Sequence, residues 1–156
     1  MKALTHNLFS IGVGLYLVLR IEQRPALDAL LVIWLALATN EVIDILGHWK
    51  RGGIPVRSFV THSVFTAPIW GIAVAFSSLW FVSLVTGRPA GVDQLSLGLG
   101  LGVVLAYAHL FLDALTEGGV YYGRRRVALA HLSYNNGMLN AVFAGLGALL
   151  IAATFY

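Results

Sequence analysis

Cysteine is absent from this chain. That excludes a disulfide frame and a thiolate metal site, so any bound metal must rest on His, Asp, Glu or backbone oxygen. Charge is scarce as well. Only 11% of the residues are Asp, Glu, Lys or Arg, against roughly 25% in a soluble domain. Hydrophobic residues make up 58%. A chain with so little polar surface does not cover a water-exposed body, and it reads as an integral membrane protein. The formal net charge of +3 is too small to point to nucleic acid as a partner. No repeat, linker or low-complexity tract divides the chain, so residues 1–156 are read as one transmembrane domain.

What is present is a series of apolar runs, at about 4–19, 26–47, 61–85, 95–115 and 138–155. Membrane helices need about 20 such residues. The predicted fold is therefore all-α, an integral membrane bundle of about five transmembrane helices. The first run is short and follows Lys2, as a signal peptide would. His6 and Asn7 interrupt its start and no small-x-small cleavage site follows, so it is read as a retained helix. Pro25 suits the first turn of the second span. Trp49-Lys50-Arg51-Gly52-Gly53-Ile54-Pro55 leaves the membrane after it. Thr61 is placed as an N-cap of the third span, and Pro68 as a kink within it. Glycine is plentiful, at 17 residues, and Gly98, Gly100 and Gly102 suit close helix packing. The segment from Glu117 to Asn136 is polar, and its composition allows a short amphipathic helix along the interface.

With five spans, alternate loops share a side. The N-terminus and the second and fourth loops carry Lys2, Lys50, Arg51, Arg57, Arg124, Arg125 and Arg126, whereas the opposite side carries Arg20, Arg24 and Arg88. The positive-inside rule then puts the N-terminus in the cytoplasm and the C-terminus outside.

The ionisable groups follow the same asymmetry. His6, His48, His62, His109 and His131, with Glu41, Asp44 and Asp113, all fall towards the cytoplasmic side. Ionisable groups inside apolar spans are costly and mark functional sites by default. Asp44/His48 and His109/Asp113 are each four residues apart, so each pair presents two donors from one helical face. His6 and His62 add imidazoles from two further spans. Neutral imidazole and carboxylate suit a divalent metal, with zinc first. A catalytic site of this kind keeps a position open for water. Glu41 is a candidate general base, and Arg57 or the Arg124–Arg126 run a candidate holder of a phosphate or carboxylate. Each residue also has a plainer reading. Asp44/His48 suits an interhelical hydrogen bond, Arg124–Arg126 a topology determinant, Thr61 and Ser63 capping or packing. Tyr121 and Tyr122 suit an aromatic belt, and Asn135, Asn136 and Asn140 the satisfaction of loop backbone.

Leu4-Thr5-His6, the stretch containing Asp44, Arg57-x-x-x-Thr61-His62-Ser63 and His109-Leu-x-Leu-Asp113-x-Leu-Thr116 together resemble the YdjM-like family of membrane-bound metal-dependent hydrolases. Ile43-Asp44-Ile45-Leu46-Gly47-His48 and Ala130-His131-Leu132-Ser133-Tyr134-Asn135-Asn136 look like an archaeal branch of it. Here Asn40-Glu41-Val42-Ile43-Asp44 stands where the family has Pro-Asp-x-Asp-His, and Arg57 stands where it has His. The family is thought to be distantly similar to zinc-dependent phospholipase C and to S1/P1-type nucleases. The resemblance implies that His6, Asp44, His62, His109 and Asp113 are metal ligands and that the chemistry is hydrolysis of a phosphate ester.

The leading expectation is a metal-dependent hydrolase at the cytoplasmic interface, acting on a lipid-borne phosphate ester. Membrane lipids are its expected surroundings, and a homo-oligomer is left open. The alternative is a non-enzymatic structural or assembly subunit whose His/Asp network ties helices together. A transporter is least favoured, because the far half of the bundle is almost bare of polar groups.

Overall fold

The computed structural model describes residues 1–51 and 54–156. Among them, five helices are each long and apolar enough to cross a membrane. They are α1 (Ala3–Leu15), continued by a π-helical stretch Tyr16–Ile21, then α2 (Asp28–Gly47), α3 (Ala67–Thr86), α4 (Val92–Ala114) and α5 (Gly137–Thr154). The fold is the all-α membrane bundle expected from the apolar runs. Two short antiparallel hairpins project from one end: β1 (His48–Arg51) with β2 (Ile54–Arg57), and β3 (Val120–Tyr122) with β4 (Arg125–Val127).

Burial divides the bundle in two. In one half Val18, Val32, Leu35, Leu101 and Leu105 form an apolar core. In the other, His6, Asn40, Thr61, His62, His109, Asp113 and Thr116 are buried instead. Large apolar side chains such as Trp34, Phe76, Trp80, Phe81 and Leu149 point outwards. Exposed apolar groups suit lipid, and buried polar groups must find partners inside the protein. At the apolar end, Arg24 ties the starts of α2 and α4 together, with Nε 3.1 Å from Asp28 and Nη2 2.7 Å from Asp93.

Small residues set the helix crossings. A Cβ on Gly71 would strike the backbone of Gly102, and one on Gly12 the backbone of Gly147. These contacts bring α3 against α4 and α1 against α5. Asn140 then locks the starts of α1 and α5, accepting from Thr5 Oγ1 at 2.7 Å and from the Lys2 amide at 3.0 Å.

Two local expectations are corrected. The third helix begins at Ala67 rather than at Thr61, and Pro68 lies in its first turn, where a missing N–H costs nothing, so it does not kink the span. Thr61 to Thr66 is a run of turns. The segment after Glu117 holds the β3–β4 hairpin in place of an amphipathic helix. Gly123, with φ of 58°, makes the tight turn between Tyr122 and Arg125.

Candidate metal centre

Four side chains meet at the polar end. Asp44 comes from the last turn of α2, and His109 and Asp113 from the last turns of α4. His62 comes from the turns before α3. One donor atom from each lies within 4.8 Å of the other three. His62 Nε2 is 3.3 Å from Asp113 Oδ2 and 3.7 Å from Asp44 Oδ1. His109 Nε2 is 3.4 Å from each of the same oxygens. A tetrahedral ion held at roughly 2.0–2.2 Å by each ligand separates those ligands by about 3.4 Å. The donor set and its spacing therefore fit a divalent cation.

The hydrogen-bond inventory points the same way. His62 Nε2, His109 Nε2 and Asp113 Oδ2 are buried without a hydrogen-bond partner. A buried orphan costs about 1–3 kcal/mol, and a cation, or a proton between imidazole and carboxylate, would relieve these three; His6 Nδ1 and Thr39 Oγ1 are orphaned as well.

The outward nitrogen of each imidazole is engaged. His109 Nδ1 lies 3.1 Å from Asn40 Oδ1. Asn40 Nδ2 donates to Asn7 Oδ1 at 2.9 Å, which fixes the amide orientation. The amide oxygen therefore accepts from Nδ1–H, and the lone pair of His109 sits on Nε2, facing the cluster. Thr61 Oγ1 lies 2.9 Å from His62 Nδ1 and engages the outward nitrogen of that ring. Gly47 makes room for it, since a Cβ there would strike Thr61 Oγ1 and the His62 ring.

Asp113 is held from behind. Arg57 Nη2 donates to its Oδ1 at 2.6 Å, and Nη1 donates to Gly119 O at 2.8 Å and Thr116 Oγ1 at 3.2 Å. The guanidinium thus closes the C-terminal end of α4, where carbonyls favour a cation. Its bonds are spent on Asp113 and this turn, so it holds a ligand in place rather than presenting itself to an anion. The β1–β2 hairpin delivers it, pairing His48 with Arg57. Tyr121 then docks β3 beside His62, donating its amide to His62 O at 2.8 Å.

The other residues singled out in the sequence surround this group. His6 is buried and stacks on His109 with ring centroids 4.2 Å apart. Its Nε2 is 3.2 Å from Asp113 Oδ1, the oxygen that Arg57 also holds. His48 Nδ1 is 3.5 Å from Asp44 Oδ1, with 41% of its side chain exposed. Burial holds the His48 imidazole below its ordinary pKa, against the opposing pull of Asp44. Glu41 is exposed on α2, three residues before Asp44 and on the same helical face. His131 is exposed in the connection before α5. Asn40, Asn7 and Ser10 were missed by sequence reasoning. The one available signal was their place on α1 and α2 facing the site, since Ser10 Oγ also donates to Asn40 Oδ1.

Residues 1–112 match the model of the family described as "Protein of unknown function (DUF1286)". The chain belongs to DUF1286. No curated protein and no solved structure matches it. The DUF1286 match takes in His6, Asn40, Asp44, His62 and His109, and ends one residue before Asp113. What the DUF1286 chain offers chemically is a buried His/Asp group able to hold a metal ion at one end of a membrane bundle.

Proposed function

We propose that this protein is a membrane-bound metal-dependent hydrolase acting on a lipid-borne phosphate ester, with one divalent ion, zinc first, held by Asp44, His62, His109 and Asp113. The observation that carries the reading is the set of three orphaned buried donors converging beside Asp44. The resemblance of these same residues to YdjM-like motifs favours it as well. A single ion suits the site, because Arg57 supplies the positive charge on the far oxygen of Asp113.

A divalent cation held there would act as a Lewis acid on a phosphoryl oxygen and let water ionise near neutral pH, which requires the exposed Asp44 to yield its place to water. The chain's own groups do the rest. His62, His109 and Asp113 are sealed, whereas the Asp44 side chain is 25% exposed. Substrate therefore approaches past Asp44 and His48, at the level where a lipid headgroup lies. Glu41, one turn from Asp44, accepts the proton from water. Arg57 holds the Asp113 carboxylate in place through its Oδ1. The positive-inside count of Lys and Arg supports a cytoplasmic N-terminus and site, and an outward C-terminus.

A second reading has its own observation. Four protein donors complete a tetrahedron, as in structural zinc sites. On that reading the ion ties α2, α4 and the His62 turns together without catalysis.

The test is metal content per chain in protein purified without chelator, followed by release of phosphate from phosphatidic acid in mixed micelles. Wild type is expected to carry about one ion and His109→Ala/Asp113→Ala none, as for loss of half a ligand set. Glu41→Gln is expected to keep the ion and lose about 10²-fold or more in rate. Metal without hydrolysis of any phosphate ester tried would favour the structural reading. No metal in folded wild type would overturn both.

A further inference from the structure

Another face of α4 carries a second feature. A groove of about 450 Å³ lies between this helix and the β3–β4 hairpin. Tyr107, Phe111 and Ala114 line it from the helix, and Val120, Tyr122 and Val127 from the hairpin. Its volume falls within the roughly 300–1,000 Å³ of small-molecule sites. Tyr107, Phe111, Tyr122 and Val127 are each exposed.

The groove has a direction. Tyr107 lies seven residues before Ala114, which is about 10 Å along a helix. One end is therefore within the apolar slab, and the other is at the hairpin, where the chain leaves it. That is the attitude of a phospholipid, with its chain inwards and its phosphate at the interface.

The hairpin end is basic. Arg124, Arg125 and Arg126 are all exposed. Register pairs Val120 with Val127 and Tyr122 with Arg125. Side chains alternate along a strand, so Val120, Tyr122, Arg125 and Val127 share one face of the ribbon. Three of these line the groove, and Arg125 continues the same face beyond them. Guanidinium recognises phosphate oxygens bidentately. An apolar slot ending in an arginine is complementary to an acyl chain bearing an anionic head.

We propose that this groove binds one anionic phospholipid, its acyl chain along α4 and its phosphate at Arg125, with Arg124 in the adjoining turn. No groove residue is a metal donor, so the site stands or falls apart from the metal centre.

The test is native mass spectrometry of delipidated protein offered equal amounts of dioleoyl phosphatidylglycerol and dioleoyl phosphatidylcholine. Wild type is expected to retain one phosphatidylglycerol, preferred by about fivefold or more for each arginine engaged. Arg124→Gln/Arg125→Gln, at exposed positions, is expected to lose the preference. Ala114→Phe, which fills the slot, is expected to lose retention of both lipids, with metal content and circular dichroism as controls on folding. Equal retention of the two lipids by wild type would overturn the proposal. So would a preference for phosphatidylglycerol unchanged in the arginine variant. Should wild type dimerise and Ala114→Phe abolish only the dimer, the groove belongs to a second copy of the chain, and the lipid assignment fails.

Discussion

Asn40 decides which nitrogen of His109 faces the cluster. Its amide oxygen takes the Nδ1–H, and its amide nitrogen is spent on Asn7. Asn40→Leu removes that acceptor while keeping an apolar, helix-compatible side chain. Loss of an outer partner of a metal-ligating His lowers affinity by roughly 10–100-fold. Competition for zinc against a chelating dye should show a loss of this size with the helical content unchanged. An affinity equal to wild type would mean that the ring is held by its stacking on His6 alone. At this scale the sequence shows donors but not their service. Asn40 stands beside Glu41 in a polar stretch, and which of the two turns inwards depends on the rotation of α2 against α1. Asn40 is buried whereas Glu41 stays exposed, on the same helical face as the half-buried Asp44, because an amide is the cheaper group to bury.

At the scale of elements, the glycines of α4 differ although they alternate in the chain. A Cβ on Gly102 would meet the backbone of Gly71 and Ile72, whereas Gly100 has nothing within 4 Å. Gly102→Ala should therefore push α3 from α4 and cost about 1–3 kcal/mol, the usual range for overpacking. Gly100→Ala should cost nothing measurable, since alanine is the better helix residue. Thermal unfolding in detergent distinguishes the two. Equal melting temperatures would show that the α3–α4 crossing relaxes freely. Gly98 and Gly102 are packing residues, as their place in an apolar span suggests, but Gly100 is not; only the partner helix distinguishes them. The β3–β4 hairpin is legible in the sequence. Val120-Tyr121-Tyr122 and Arg125-Arg126-Val127 flank Gly123-Arg124, and a two-residue loop opening with Gly is a hairpin signal. The high polarity of the whole segment masked it.

At the scale of the molecule, the lack of cysteine is an experimental advantage. Arg88 and Arg126 lie at opposite ends of the bundle and are both exposed. With the polar end cytoplasmic, Arg88→Cys should react with a membrane-impermeant maleimide on intact cells, and Arg126→Cys only after permeabilisation. The reverse pattern would put the metal centre outside and defeat the positive-inside argument.

The sequence by itself determined the class of this protein, the number of its spans and the end at which its polar groups collect. Each of these follows from the chain's local chemistry: apolar runs of membrane length, and the axial position of a residue within its own helix. Only the tertiary structure decided that Asp44, His62, His109 and Asp113 converge while His6 and His48 stand beside them. It also decided that Arg57 braces Asp113. A helix fixes the spacing of its own side chains, but its rotation and its distance from a neighbour are set by packing. Here the Gly12–Gly147 and Gly71–Gly102 crossings and the turns around His62 set them.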